Sequence, residues 1–432
     1  MYKPKIHAIT LAVFVCALVA LPAAADSQAR IVRLSDVQGG VQINKNSGLG
    51  FENAFLNLPV TQGTQLRTRG NGRTEIEFED GSTLRLAPNS TVVFSTLGLS
   101  DSGKRFSAVH LVEGLAYVNW LGKSGDGFTL NFSREKIELA RPAHFRVASS
   151  SGKTEVANFK GELEVAGPDG VATKLEKKKM VTFEADNDQP TVAKNANHLP
   201  ADEWDSDSNT YHDQYARNNS TPLGYGVSDL NYYGSYNNVA GFGSLWQPYF
   251  TGVGWNPFMD GAWSWYPGMG FMWASAYPWG WMPYYYGNWV YAPGFGWGWQ
   301  PGGFSSWNGG IHYLGAVSGF QAPAVPRGTV NAVVVGRSAA ALASAQTSLT
   351  LKNGSAGLGV PRGSLTDMHH LNSQVAKAGF VQFSGVRQFS ATSPRFSGFD
   401  FGEERGANGM AGSARPGVAG HSSGAAAPGG RH

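Results

Sequence analysis

The side chains with the most chemical reach in this chain are aromatic, and they are concentrated. Eleven of the thirteen tryptophans lie between Trp246 and Trp307, so they do not serve a core spread over the whole chain. A row of exposed indoles stacks against the apolar faces of sugars, whereas the same rings turned inward fill a core. Trp255, Trp265, Trp281, Tyr285 and Trp297 are the ligand-stacking residues on the first reading. Packing is the favoured reading, because a small β-unit needs large side chains to bury enough area.

Polar groups offer less. Gly122-Lys123-Ser124 and Gly152-Lys153-Thr154 have the form of the end of a phosphate loop. The glycine such a loop needs five positions before its second glycine is replaced by Tyr117 and Val147, so both triplets read as turns. Ser150-Ser151-Gly152-Lys153 fits Ser-x-x-Lys, but that nucleophile needs a rigid helix start and this stretch reads as a hairpin tip. The histidines form no His-Glu-x-x-His, and the His369-His370 pair points two ways on a helix, as solvated residues do. Asp and Glu before residue 185 alternate with Lys and Arg along strands, which reads as a solvated outer face rather than an acid/base pair. No catalytic, cofactor-binding or metal-ligating residue is assigned, and the chain reads as non-enzymatic.

The tryptophan region repeats. Trp255, Pro257-Phe258, Gly261, Trp263, Pro267-Gly268, Gly270 and Trp273 align with Trp281, Pro283-Tyr284, Gly287, Trp289, Pro293-Gly294, Gly296 and Trp299, 26 residues on. A third, worn copy precedes them at Gly234, Tyr236, Ala240-Gly241, Gly243 and Trp246. A fixed period marks one supersecondary unit copied. Aromatics two apart (Trp263/Trp265, Trp279/Trp281, Trp297/Trp299) predict one face of a strand. Pro-Gly-x-Gly between them supplies a hairpin turn, so each copy reads as a short β-meander.

These elements sit in a chain of 432 residues, long enough for two or three domains. From Leu223 to Pro326 its only acidic or basic residues are Asp229 and Asp260. Nucleic-acid grooves set cations beside their stacking rings, so nucleic-acid binding is excluded as a reading. Lys3 and Lys5, the apolar run Ile9–Leu21 and Ala23-Ala24-Ala25 predict a secretory signal peptide over 1–25. Some thirteen apolar residues are too few to span a bilayer, and no later run is long and apolar enough to cross one. The lone Cys16 falls inside this segment and follows Val15, not the small residue a lipoprotein signal wants. The product is expected to be periplasmic or secreted, or associated with the outer membrane.

Between Ile31 and Phe183, short alternating runs broken by Gly, Asn, Asp and Pro predict β-structure. Glu79-Asp80-Gly81-Ser82 joins two of them as a hairpin, and Gly72-Arg73-Thr74-Glu75-Ile76 is echoed in Gly152-Lys153-Thr154-Glu155-Val156. Stacked hairpins in a sandwich or short solenoid follow. The series Val37-x-Gly39-x-Val41, Gly63-Thr64-x-Leu66-x-Thr68, Asp80-Gly81-Ser82-Thr83-Leu84-Arg85-Leu86 resembles the FecR domain. Its continuation does too: Gly114-x-Ala116-x-Val118, Pro142-Ala143-x-Phe145-x-Val147 and Gly161-x-Leu163-x-Val165. The resemblance implies a β-fold and an envelope location. The best-known members relay a ferric-citrate signal to an anti-sigma segment in the cytoplasm. Here a cleavable signal stands in place of their cytoplasmic segment and membrane helix, so that activity is not carried over. The aromatic repeat likewise resembles a tryptophan- and glycine-rich bacterial envelope family of unknown function, which often follows a FecR-like domain.

The expected organisation is therefore mainly β: a FecR-like domain over 31–185, a helical linker over 186–222, an aromatic repeat domain over 223–310, and a low-complexity, largely disordered tail over 311–432. Pro200 opens the linker helix, in which Trp204, Tyr211 and Tyr215 share a face and brace the two β-regions. Within the tail, Val330–Val335 reads as one strand and Leu365–Ala378 as one helix. The leading reading is a binding, scaffolding or signalling module with an envelope protein partner; the alternative is a peptidoglycan or other glycan ligand held by the tryptophans. When the chain is expressed in a bacterium, N-terminal sequencing should find the mature protein starting at or near Asp26. An intact Met1 on membrane-integrated protein would refute the signal assignment.

Overall fold

Alternating apolar residues from Val32 to Phe183 build two stacked sheets whose facing sides make one core, including Leu34, Ile76, Leu84, Val109, Val118, Phe145 and Val147. The computed structural model describes residues 30–122, 125–216, 224–307, 311–315, 317–337 and 348–384. In one sheet the strands Val32–Gln38, Arg73–Glu77, Thr83–Leu86, the second half of Arg105–Trp120, Ala143–Ser149, Lys153–Lys160 and Met180–Glu184 lie side by side. The other runs Val41–Asn44, Gln65–Thr68, Thr91–Leu99, the first half of Arg105–Trp120, Gly127–Phe132, Glu135–Leu139 and Leu163–Ala166. Successive hairpins alternate between the layers, the stacked-hairpin sandwich that the alternation predicts.

One strand belongs to both sheets. Arg105–Trp120 crosses between the layers at Gly114, which has φ +102°. A Cβ there would sit 2.4 Å from the Cα of Ser90, so only glycine allows the crossing.

The three segments that align in the sequence each form an antiparallel hairpin: Gly234–Val239 with Gly243–Pro248, Gly261–Tyr266 with Gly270–Ser275, and Tyr286–Ala292 with Gly296–Phe304. Equivalent rings pair across them, Tyr236 with Trp246, Trp263 with Trp273 and Trp289 with Trp299. Glycine opens each of the first two because a ring lies over it: a Cβ on Gly234 or Gly261 would meet Cζ2 of Trp246 or Trp273 at 2.4 or 2.5 Å. The first and third hairpins share a five-stranded sheet, while the second lies in a three-stranded one. Trp279 and Trp281 depart from expectation. They occupy a turn rather than a strand face, since Pro278 and Gly280 break the run, and the short helix Met282–Tyr285 follows. That change of backbone lets Tyr284, Tyr285 and Tyr286 all be buried in succession.

The expectation of a largely disordered tail over 311–432 needs correction at 311–315, 317–337 and 348–384. Ala332–Val335 adds to the second hairpin, Tyr313–Leu314 adds in parallel to the third, and Ser348–Lys352 pairs with Phe380–Ser384. A helix, Met368–Ala378, carries buried Met368 and Val375. Leu351, Ala356 and Val360 enter the same core as the tryptophans, and the Trp279 indole donates to the Ala356 carbonyl at 2.7 Å. Low-complexity composition concealed this because the buried residues are spaced out among Gly, Ser and Ala. The predicted signal peptide and the stretch from 385 onward lie outside the described residues.

Trp263 and Trp289 are essentially without solvent contact. Each ring buries roughly 150–250 Å², so Trp263→Ala and Trp289→Ala should each cost about 3–5 kcal/mol. Thermal melts, with and without peptidoglycan fragments, should show the same loss in both conditions. Unchanged melting temperatures would refute the packing role.

Candidate functional site

The alternation of charges along the sandwich predicts a solvated face, and the structure buries it. Glu75 lies opposite Arg85, Arg85 opposite Tyr117, and Tyr117 opposite Arg146, one polar row across four strands. A second row runs Arg33, Glu77, Thr83, Asn119 and His144. These side chains point away from the apolar core, as expected, but Arg33, Arg85, Arg146, Glu75 and Glu77 are each at most 1% exposed. Two helices cover them. Ala201–Tyr215 supplies Asp202, Asp205, Asn209 and His212, spaced three, four and three apart and so on one helical face. Val227–Tyr233 supplies Asp229.

Every charge in this seam meets an opposite one. Arg85 bonds Glu75 and Asp205, each at 2.7 Å. Arg146 bonds Asp202 at 2.7 Å, and the Tyr117 hydroxyl donates to the same carboxylate at 2.8 Å. Arg33 reaches Asp229 at 2.6 Å and Glu77 at 3.1 Å, and donates to the Pro278 carbonyl in the aromatic module at 2.6 Å. His144 lies 2.6 Å from Asp205 and His212 lies 3.0 Å from Glu75. Arg362, from the region read as tail, closes the cluster onto Glu75 and Asp229 at 2.8 and 2.6 Å.

Burial alone would raise the Glu75 carboxyl, but His212, Arg85 and Arg362 outweigh it and hold the group well below its ordinary 4.5. Burial likewise opposes ionisation of Asp205 and Asp229; His144 and Arg85 for the one, Arg362 and Arg33 for the other, keep both below 3.8. Glu77 goes the other way, raised by burial despite Arg33. Removing one partner of a buried pair strands the other's charge. The helical spacing of Asp202, Asp205, Asn209 and His212 was a readable signal for this seam. Arg362, 287 residues from Glu75, had none.

The other sequence candidates fall elsewhere. Trp255, Trp281, Tyr285 and Trp297 are buried, so four of the five proposed stacking rings offer no open face; Trp265 is half-buried. Ser150 and Lys153 do sit at a hairpin tip, where the serine hydroxyl donates to the Lys153 carbonyl and the Lys153 ammonium pairs with Glu155 at 2.7 Å. His369 and His370 lie exposed on Met368–Ala378. Lys123 and Ser124 lie outside the described residues. Among the described residues no three His, Cys, Asp or Glu side chains are grouped to hold a metal ion, and no helix is long and apolar enough to cross a membrane.

Two open surfaces stand out among the described residues. The outer face of the second sandwich sheet carries Phe106, Ala108, His110 and Val112 along one strand, with Thr96 and Val93 beside them on one side and Thr129 and Asn131 on the other. It bears no charge along its middle. The other surface is a groove of about 520 Å³ on the aromatic module, lined by Phe242, Val290, Tyr291, Pro293, Gln300 and Leu314 among others.

The depressed carboxyls Glu75, Asp205 and Asp229 set the seam's own pH response. Their contribution is complete above their unfolded values and disappears as pH falls through the lower folded ones; Glu77, Asp36, Asp80 and Glu135, raised by burial, offset part of this. Melting temperature should therefore drop as pH is taken from about 5 to about 3, and Glu75→Gln should start lower with a shallower drop. Arg362→Ala should cost about 3–5 kcal/mol at neutral pH. A melting temperature independent of pH over that range would contradict the seam's role.

Known proteins match two parts of the chain. The profile of the family described as FecR protein matches residues 64–164. The profile described as a family of unknown function (DUF6600) matches residues 227–320. No curated protein matches the chain. Two crystal structures of a candidate anti-sigma factor from Parabacteroides distasonis are similar at 17% identity with a TM-score of 0.29, covering 35% of this chain and 72% of theirs in one case, 34% and 71% in the other. The chain thus carries a segment matching the FecR family, followed by a segment matching the family of unknown function.

Proposed function

We propose that this protein is a non-enzymatic binding, scaffolding or signalling module of the bacterial cell envelope, periplasmic or secreted, that engages a protein partner through the open face of its sandwich. The observation that carries the reading is the contrast between the two outer faces. The charged face of the first sheet is consumed by internal ion pairs, while the outer face of the second, with charges such as Lys136 and Glu138 only beside its uncharged middle, stays uncovered, with Phe106 and Val112 both more than 40% exposed. Exposed apolar residues flanked by polar ones are what a protein interface presents before it is filled. The FecR match supports an envelope setting, and the secretory leader read in the sequence points the same way. The buried seam makes sandwich and aromatic module one body, so a partner bound on the sandwich would be held at a fixed position relative to the aromatic module.

The test is fractionation of an expressing bacterium followed by in-cell cross-linking and purification. The chain should appear in the periplasmic or outer-membrane fraction with one envelope protein cross-linked in near-stoichiometric amount. Val112→Glu, a surface change, should remove that cross-link without altering the melting temperature. Cytoplasmic recovery, or a cross-link indifferent to Val112→Glu, would overturn the proposal.

A further inference from the structure

The aromatic module has almost no charge of its own. Its two acids are both consumed internally: Asp229 by Arg33 and Arg362, Asp260 by Arg337 at 2.8 Å. No Lys or Arg lies between Leu223 and Pro326. The groove on the module is lined by apolar Val290, Pro293 and Leu314, by the Gln300 amide, which donates to the Phe242 carbonyl at 3.4 Å and keeps its oxygen and second N–H, and by one partly open ring in Tyr291, which is 43% exposed. That ring is held by the core, since the buried Trp297 meets it edge-on at 5.7 Å and 70°. Glycines at positions 241 and 315 leave backbone uncovered along the rim.

We propose that this groove binds a neutral glycan strand. The inference rests on the reading of the protein as a binding module, and it assigns a second ligand to a second surface. A nucleic acid or an acidic polymer would find no cation here, and a basic peptide no carboxylate. A sugar chain needs neither. Its C–H faces stack on a fixed tyrosine ring, and its hydroxyls pair with an amide that both donates and accepts, and with backbone groups at glycine-lined edges. A ring already fixed by its neighbour loses little freedom on binding. The stacking residue is therefore Tyr291 rather than Trp255, Trp281, Tyr285 or Trp297, whose rings are buried.

Calorimetric titration of the full mature chain tests this, with soluble β-1,4-linked oligomers of glucose and of N-acetylglucosamine as probes and heparin oligosaccharide as the charged control. At least one neutral oligomer should bind saturably and heparin should not. Tyr291→Ala should weaken that binding at least ~10-fold, about 1.4 kcal/mol, with an unchanged melting temperature, and Trp265→Ala, outside the groove, should leave it intact. Absence of saturable binding by both neutral probes, preference for heparin, or full binding in Tyr291→Ala would each overturn the proposal. Val112→Glu separates the two readings: it should abolish the protein cross-link and leave glycan binding unchanged.

Discussion

A carboxylate buried between two arginines and a histidine is the constraint on which this structure turns. Glu75 is removed from water, and a lone ion there would cost several kcal/mol, so its burial is tolerable only while Arg85, Arg362 and His212 stay in place. Each partner comes from a different part of the chain: a neighbouring strand, a helix and a segment far downstream. Satisfying one charge therefore fixes three elements at once. Asp229 extends the same logic, tying Arg33 of the sandwich to Arg362 and accepting from the Tyr211 hydroxyl at 2.8 Å. Hydrophobic contact between sandwich and module would permit sliding; directional ion pairs do not.

The aromatic module solves a different problem. It has few aliphatic residues and many glycines, so its core is built from rings that meet edge to face, such as Trp246 with Trp279 at 5.0 Å. Some of the indole N–H groups are satisfied internally, while those of Trp263, Trp273 and Trp289 find no hydrogen-bond partner. Trp246 donates to the Leu230 carbonyl, Trp299 to that of Tyr286 and Trp255 to the Tyr277 hydroxyl. The last of these hydroxyls in turn donates to Asp260, itself bonded to Arg337. Both acids of the module are thus spent on holding it to its surroundings.

The two halves are joined at more than the charged seam. Asn57 of the sandwich donates to the Ser275 and Tyr277 carbonyls at 2.9 and 2.7 Å, and the Tyr266 hydroxyl donates back to Pro59 at 2.6 Å. Lys45, with its ammonium buried, bonds Ser264 and Asn331 and lies over the Tyr266 ring. Four of these five acceptors are main-chain carbonyls, and the fifth is the Ser264 hydroxyl.

What the sequence determined by itself was local and periodic. Alternation fixed which residues of each sandwich strand face the core, because side chains on a strand change sides at every residue. The spacing of Gly241, Gly268 and Gly294 fixed three hairpin turns, because those positions have positive φ. Tertiary structure decided what lay against each face. Nothing in the alternation of Glu75, Glu77, Arg85 and Arg146 distinguishes a face wetted by solvent from one covered by a helix with complementary charges, since both demand the same residues. Nor could ring spacing tell a stacking platform from a core, because it does not say what packs over a ring: Trp281 is buried, and Tyr291 is 43% exposed. Arg362 shows the limit most plainly: a single cation in a Gly- and Ser-rich stretch becomes the closing charge of a buried cluster only when the whole chain has folded around Glu75 and Asp229.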